Sequence, residues 1–238
     1  MSLFKKNNYL IIPILTGVFD FIWFYFIIYF AHKNNLLFSI NEVTWNTITT
    51  KFLIDFLAML FIPSIIIIAC KKQLSDFQLC MNSKYEIMAL LGVMTILFIL
   101  HNEFGILGLY RFFFYLVVIA FGEEFIYRGF IYNKIKSNSK YLAIIISGTL
   151  WGIMHSILPS IVSNANLPQF ILSICSEIGG GILIGWYYIY LLEKSKSLWI
   201  PTLVHAIIDY SVSYIGTIVA IIIFFYFLKK SRTEKYNS

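Results

Sequence analysis

Apolar residues in this chain neither alternate with polar ones nor form a narrow helical stripe. They come in long runs separated by short polar connections. Eight runs can be marked, approximately Tyr9–Phe30, Lys51–Cys70, Tyr85–Leu100, Leu107–Ile131, Tyr141–Ile157, Leu167–Leu192, Leu198–Tyr210 and Ser213–Leu228. About 20 apolar residues carry a helix across the hydrocarbon of a bilayer, and lipid offers backbone amides no partner outside the helix itself. The pattern therefore predicts an all-α polytopic membrane protein of about eight transmembrane helices. The seventh run is short and merges with the eighth around Asp209. With no internal repeat, low-complexity linker or long polar stretch, residues 1–238 read as a single membrane domain, and 107–210 as the core that carries the candidate chemistry.

Composition supports this reading. Hydrophobic residues make up 59% of the chain and charged ones only 13%, against roughly 25% charged in soluble domains. A soluble enzyme, a disordered chain and a disulfide scaffold are excluded together. Cys70, Cys80 and Cys175 have unrelated spacings and read as plain thiols. The formal charge of +6 does not indicate nucleic acid, because the basic residues sit in small groups between apolar runs rather than on one face.

Those groups orient the chain instead, since cytoplasmic loops are enriched in Lys and Arg. With the N-terminus inside, the inner segments hold Lys5, Lys6, Lys71, Lys72, Lys84, Lys134, Lys136, Lys140, Lys194, Lys196, Lys229, Lys230, Arg232 and Lys235, which is 14 of the 18 basic residues. Lys33, Lys51 and Arg111 fall outside, and Arg128 lies within the apolar zone. Both termini are expected to be cytoplasmic. The first run has a basic flank like a signal peptide's, but its core is long and Tyr29-Phe30-Ala31-His32 is a poor cleavage site, so it is expected to stay attached. The excess of Ile, Lys, Asn, Phe and Tyr is that of an AT-rich genome, which suits a bacterial plasma membrane.

Ionisable groups inside a bilayer cost about 2.5 to 3.5 kcal/mol each on insertion scales, so each needs a partner or a purpose. The candidates are Asp20, Asp55, Glu123, Glu124, Arg128, His155, Glu177, His205 and Asp209. Glu124 and Arg128 are four apart and share a helical face, whereas Glu123 is turned by about 100°. One carboxylate is thereby neutralised and the other left free. His155 and His205 lie at similar depth to Glu123, and His205 has Asp209 four residues on. Lone histidines are usually packing residues, but two at one depth beside a free carboxylate are not lone. Such a set can hold zinc with a bound water, or act without metal as base, orienting group and oxyanion donor; both end in hydrolysis. It can also relay protons in a small transporter. His-Glu-x-x-His and Gly-x-Ser-x-Gly are absent. Asp20 and Asp55 show no spaced partner and read as structural, as does Glu177 beside Gly179-Gly180-Gly181.

In order, Glu123-Glu124-x-x-x-Arg128, Trp151-x-x-x-His155 and His205-x-x-x-Asp209 resemble the CPBP family, the CAAX proteases and bacteriocin-processing enzymes also called Abi. The resemblance covers about Gly122 to Asp209. It implies that Glu123 and His155 activate a hydrolytic water, that His205 and Asp209 stabilise the oxyanion, and that Glu124, Arg128 and Trp151 shape the site. The family usually has Phe where this chain has Trp151, and often Asn where it has Asp209. An ionised Asp209 would repel an oxyanion, so it is either protonated, orients His205, or ligates a metal.

The implied function is intramembrane hydrolysis of a peptide bond in a peptide or membrane-anchored protein within the lipid bilayer. A non-proteolytic scaffold or bacteriocin-immunity protein is the alternative, and nucleic acid is not a partner. No cofactor is expected; if zinc takes part, Glu123, His155, His205 and Asp209 are its ligands. The charge partition also makes a topological prediction. In a variant otherwise free of cysteine, a cysteine at position 138 should resist a membrane-impermeant thiol reagent in intact cells and react after permeabilisation. Labelling from outside would reverse the orientation.

Overall fold

The computed structural model describes residues 3–102, 104–211 and 214–236, with side chains from 9 to 233 within those segments. The side chains of Lys5, Lys6 and Lys235, which support the orientation at the termini, and Ser213, the expected start of the last run, lie outside the described residues. The regular structure described is entirely helical. Eight long elements follow one another: α1 (Leu3–Lys33), α2 (Ile48–Ala69), α3 (Lys84–His101), α4 (Ile106–Lys136), α5 (Lys140–Val162), α6 (Leu167–Ser195), α7 (Trp199–Tyr210) and α8 (Ile215–Tyr236). Each coincides with one of the eight apolar runs. Short 3₁₀ turns at Ile40–Glu42 and Leu74–Phe77 lie in the connections.

Among the described residues six helices, α1 to α6, are long and apolar enough to cross a membrane. The seventh differs from a crossing. At 12 residues it spans about 18 Å, against roughly 30 Å of hydrocarbon. Nine of those residues are buried, His205 among them. A helix that is apolar all round and buried belongs to a core, and α7 packs against α3, α4 and α8.

Helix α4 carries the paired glutamates in its middle. The turns Phe114–Phe121 and Phe125–Tyr132 on either side of Gly122–Glu124 are π-helical, a winding found mostly at functional sites. Gly122 lets this stretch approach α2, since a Cβ there would lie 3.0 Å from the Met59 carbonyl oxygen. Helices α5 and α6 approach more closely still, where a Cβ on Gly181 would meet Gly152 Cα at 2.5 Å. Small residues of this kind let membrane helices come into backbone contact.

The buried carboxylates of the first helices are structurally paired, as expected, but Asp55 does have a partner at helical spacing, which corrects that part of the sequence reading. Lys51 Nζ donates to both oxygens of Asp55, at 2.6 and 2.7 Å, and Tyr110 donates a third hydrogen bond to Asp55 at 2.7 Å. The Lys51 to Asp55 spacing is the same four residues as Glu124 to Arg128, but Lys51 stands at the edge of its run and reads as a flank. Asp20 on α1 accepts from the Tyr127 hydroxyl of α4 at 2.9 Å, a contact between elements that spacing does not show.

The glycine seam makes a stability prediction. Gly181→Leu should lower the thermal midpoint and the folded yield in membranes, since overpacking costs about 1–3 kcal/mol. Gly179→Leu is the control, because a Cβ there meets nothing within 4 Å. Equal midpoints for the two variants would show that the seam is not under packing constraint.

Candidate active site

Glu123, buried on α4, is the point at which three helices converge. Its Oε2 accepts a hydrogen bond from the Trp151 indole N–H of α5. Nε2 of His155 (α5) and Nε2 of His205 (α7) each stand 4.0 Å from that same oxygen. That separation exceeds a direct hydrogen bond and suits one bridging by water. No lysine or arginine forms an ion pair with Glu123 among the described residues.

The two imidazoles are held differently. Nδ1–H of His155 donates to the Trp151 carbonyl oxygen at 2.9 Å, which in the neutral ring leaves Nε2 as the acceptor, turned toward Glu123. The His155 side chain is 40% exposed, so it faces open space. His205 is buried, with Nδ1 3.0 Å from Glu124 Oε1 and Nε2 3.3 Å from Asp209 Oδ2. Both of its nitrogens face carboxylate oxygens, so both can donate only in the doubly protonated ring. The Tyr188 ring stacks on it at 4.9 Å between centroids.

Beneath this lies the buried cation. Arg128 Nη1 is 3.2 Å from Glu124 Oε1, and both side chains are fully buried. Its guanidinium lies over the Trp151 ring at 4.2 Å and the Tyr188 ring at 5.2 Å. Glu124 thus serves Arg128 and His205 through a single oxygen. The expected pairing of Glu124 with Arg128 and the independence of Glu123 are both present, and the bond from Glu124 to His205 adds a function that spacing did not reveal. Trp151 is likewise more than an aromatic wall. Its indole donates to Glu123 and its ring covers Arg128, while its backbone carbonyl accepts from His155; a phenylalanine would lose the first of these. The residue name announces an indole donor but not where it points.

Glu123, Trp151, His155 and His205 line a cavity of about 650 Å³, walled on its other sides by α6 and α8. Glu177 lines it, as do Gly180, Gly181 and Asp209. Asp20 and Asp55 are not among its lining residues. Among the described residues no three His, Cys, Asp or Glu side chains are arranged to hold a metal ion.

Residues 105–211 match the model of a protein family described as type II CAAX prenyl endopeptidase, Rce1-like. The matched segment begins at the start of α4 and ends just after α7, and so contains every residue placed around Glu123 above. No curated protein and no solved structure matches the chain.

The two glutamates should respond differently to the same change. Glu124→Gln leaves Arg128 without its counter-ion in low dielectric, a loss of about 3–5 kcal/mol, and should cut the amount of folded protein in membranes. Glu123→Gln removes no ion pair with a lysine or arginine and should leave abundance near wild type. Quantitative blotting of membrane fractions checks this. A larger loss for Glu123→Gln would mean that the buried pair had been assigned to the wrong carboxylate.

Proposed function

With residues 105–211 as a core of the CAAX-endopeptidase kind, we propose that this multi-pass membrane protein is an intramembrane endopeptidase that hydrolyses a peptide bond in a peptide or membrane-anchored substrate. The observation that carries the proposal is the convergence of His155 Nε2 and His205 Nε2 on one oxygen of Glu123. A water bridging that triangle meets a carboxylate able to take its proton and an imidazole able to orient it. In the proposed reaction Glu123 removes the proton as the water oxygen attacks the scissile carbonyl carbon. His205, held on its other side by Glu124, donates to the oxyanion that forms. Glu123 then returns the proton to the leaving amine as the carbon–nitrogen bond breaks.

The charge on Asp209 fits this scheme. Beside a doubly protonated His205 it is a counter-ion, and the pair together presents a donor rather than a net negative charge to the oxyanion. Trp151, by donating to Glu123 Oε2, fixes the carboxylate plane. We propose that the chemistry needs no metal, since protein groups supply base, orienting group and donor. The bacterial plasma membrane is the proposed location, with a leader peptide, pheromone precursor or bacteriocin-related peptide as the kind of substrate.

Comparison of membrane peptidomes from cells expressing wild type and Glu123→Gln tests the activity. Peptides should disappear in the variant, and identical profiles at equal abundance would overturn it. For the metal-free scheme, purified Asp209→Asn should keep measurable activity and wild type should survive chelation. Stoichiometric zinc, with activity lost on chelation and restored by zinc alone, would replace that scheme.

A further inference from the structure

A second cavity, of about 640 Å³, adjoins the first. The two share Ile119, Glu123 and His155 as lining residues, so the Glu123–His155 pair borders both. Each volume falls in the roughly 300–1,000 Å³ range of ligand pockets. Where the first cavity is walled by α6 and α8, the second is walled by α1, α2 and α5, through apolar side chains such as Ile28, Ala58, Met59, Met154 and Leu158. Its far end is polar, lined by Ser39, Glu42, Lys51 and Asp55. Lys51 and Asp55, which line it, neutralise each other in their two-bond pair. The connection between α1 and α2 closes over that end. It is held by the Ser39 amide donating to Glu42 Oε2 at 2.6 Å and by Arg111 Nη2 donating to Asn41 Oδ1 at 2.8 Å. The chamber is therefore built in advance, mostly apolar, and bordered by Glu123 and His155.

We propose that this second chamber binds the apolar side chains of the substrate that lie beyond the scissile bond, so that the protein selects lipid-embedded peptide segments that are apolar on both sides of the cleaved bond. The proposal rests on the peptidase reading above. Size and the shared border set the occupant. A polar or anionic terminal segment would lose its hydration on entering walls of Ile, Ala, Met and Leu, and among the described residues the far end offers it no free cation, since Lys51 is bound to Asp55 and Glu42 is itself acidic. A run of apolar residues needs no such compensation and gains by leaving water.

The test uses the full-length protein in nanodiscs and two peptides of about twenty residues, the length of one membrane crossing. They differ only in carrying Leu or Gly at the positions just beyond the cleaved bond. Ala58→Phe fills the chamber from a buried position, and Leu158→Trp narrows it from a position that is 42% exposed and so tolerates replacement. Both variants should lower kcat/KM for the Leu peptide roughly tenfold relative to the Gly peptide. An unchanged Leu-to-Gly ratio in Leu158→Trp overturns the proposal, whether or not Ala58→Phe folds. A second arm places a benzophenone side chain at the same position of the Leu peptide and maps crosslinks in wild-type protein. Crosslinks to Ala58, Met59 or Leu158 support the chamber; crosslinks confined to Trp186, Phe224 and their neighbours in the first cavity overturn it. If wild type cleaves neither peptide yet crosslinks in the second chamber, the peptidase reading fails and the binding site stands.

Discussion

A charge buried in the middle of a membrane protein must be neutralised where it stands, and Arg128 sets that requirement here. Its guanidinium has the Glu124 carboxylate on one side and the faces of Trp151 and Tyr188 on the other. The arrangement around the candidate site follows from it. Glu124, fixed by Arg128, fixes His205; Trp151, fixed over Arg128, fixes Glu123 and His155. Four helices, α4 to α7, are thereby tied to one cation, and the groups that face the cavity are the outer layer of that cluster. Removing one member of such a network leaves the others with unsatisfied polar atoms in low dielectric.

This architecture divides labour within one dipeptide. Glu123 and Glu124 have the same chemistry, and their difference is made by geometry alone. One faces the cation and the other the cavity, because adjacent residues on a helix point about 100° apart. The π-helical turns on either side of them keep the two carboxylates on α4 while the chain winds more loosely around them. Gly122 allows this loosened segment to lie against the backbone of α2.

Much of this was legible in the sequence. Each apolar run became a helix, since run length in a bilayer translates directly into helical length. Glu124 with Arg128 and His205 with Asp209 were legible because spacing of four on a helix is contact. Lys51 with Asp55 obeyed the same rule and was missed, since a lysine at the end of a run reads as an interfacial flank until its burial is known. The bond from Glu124 to His205 joins residues 81 positions apart, and no local pattern encodes which faces of α4 and α7 meet. The seventh run read as a crossing because hydropathy cannot separate a helix buried in protein from one buried in lipid. The indole bond from Trp151 needed a donor direction, which a residue name does not supply.

The backbone contact between Gly152 and Gly181 has a mechanical consequence. With no side chains between them there, α5 and α6 have nothing to compress or rotate, and the wall they form moves as one body. On the other side of the cavity α8 presents Thr217, Ala220 and Phe224, and it is joined to α6 by the Tyr187 hydroxyl donating to the Ala220 carbonyl oxygen at 2.8 Å and by Phe224 packed against Tyr190. Trp151 and His155, carried on α5, therefore stand on a backing that keeps its shape.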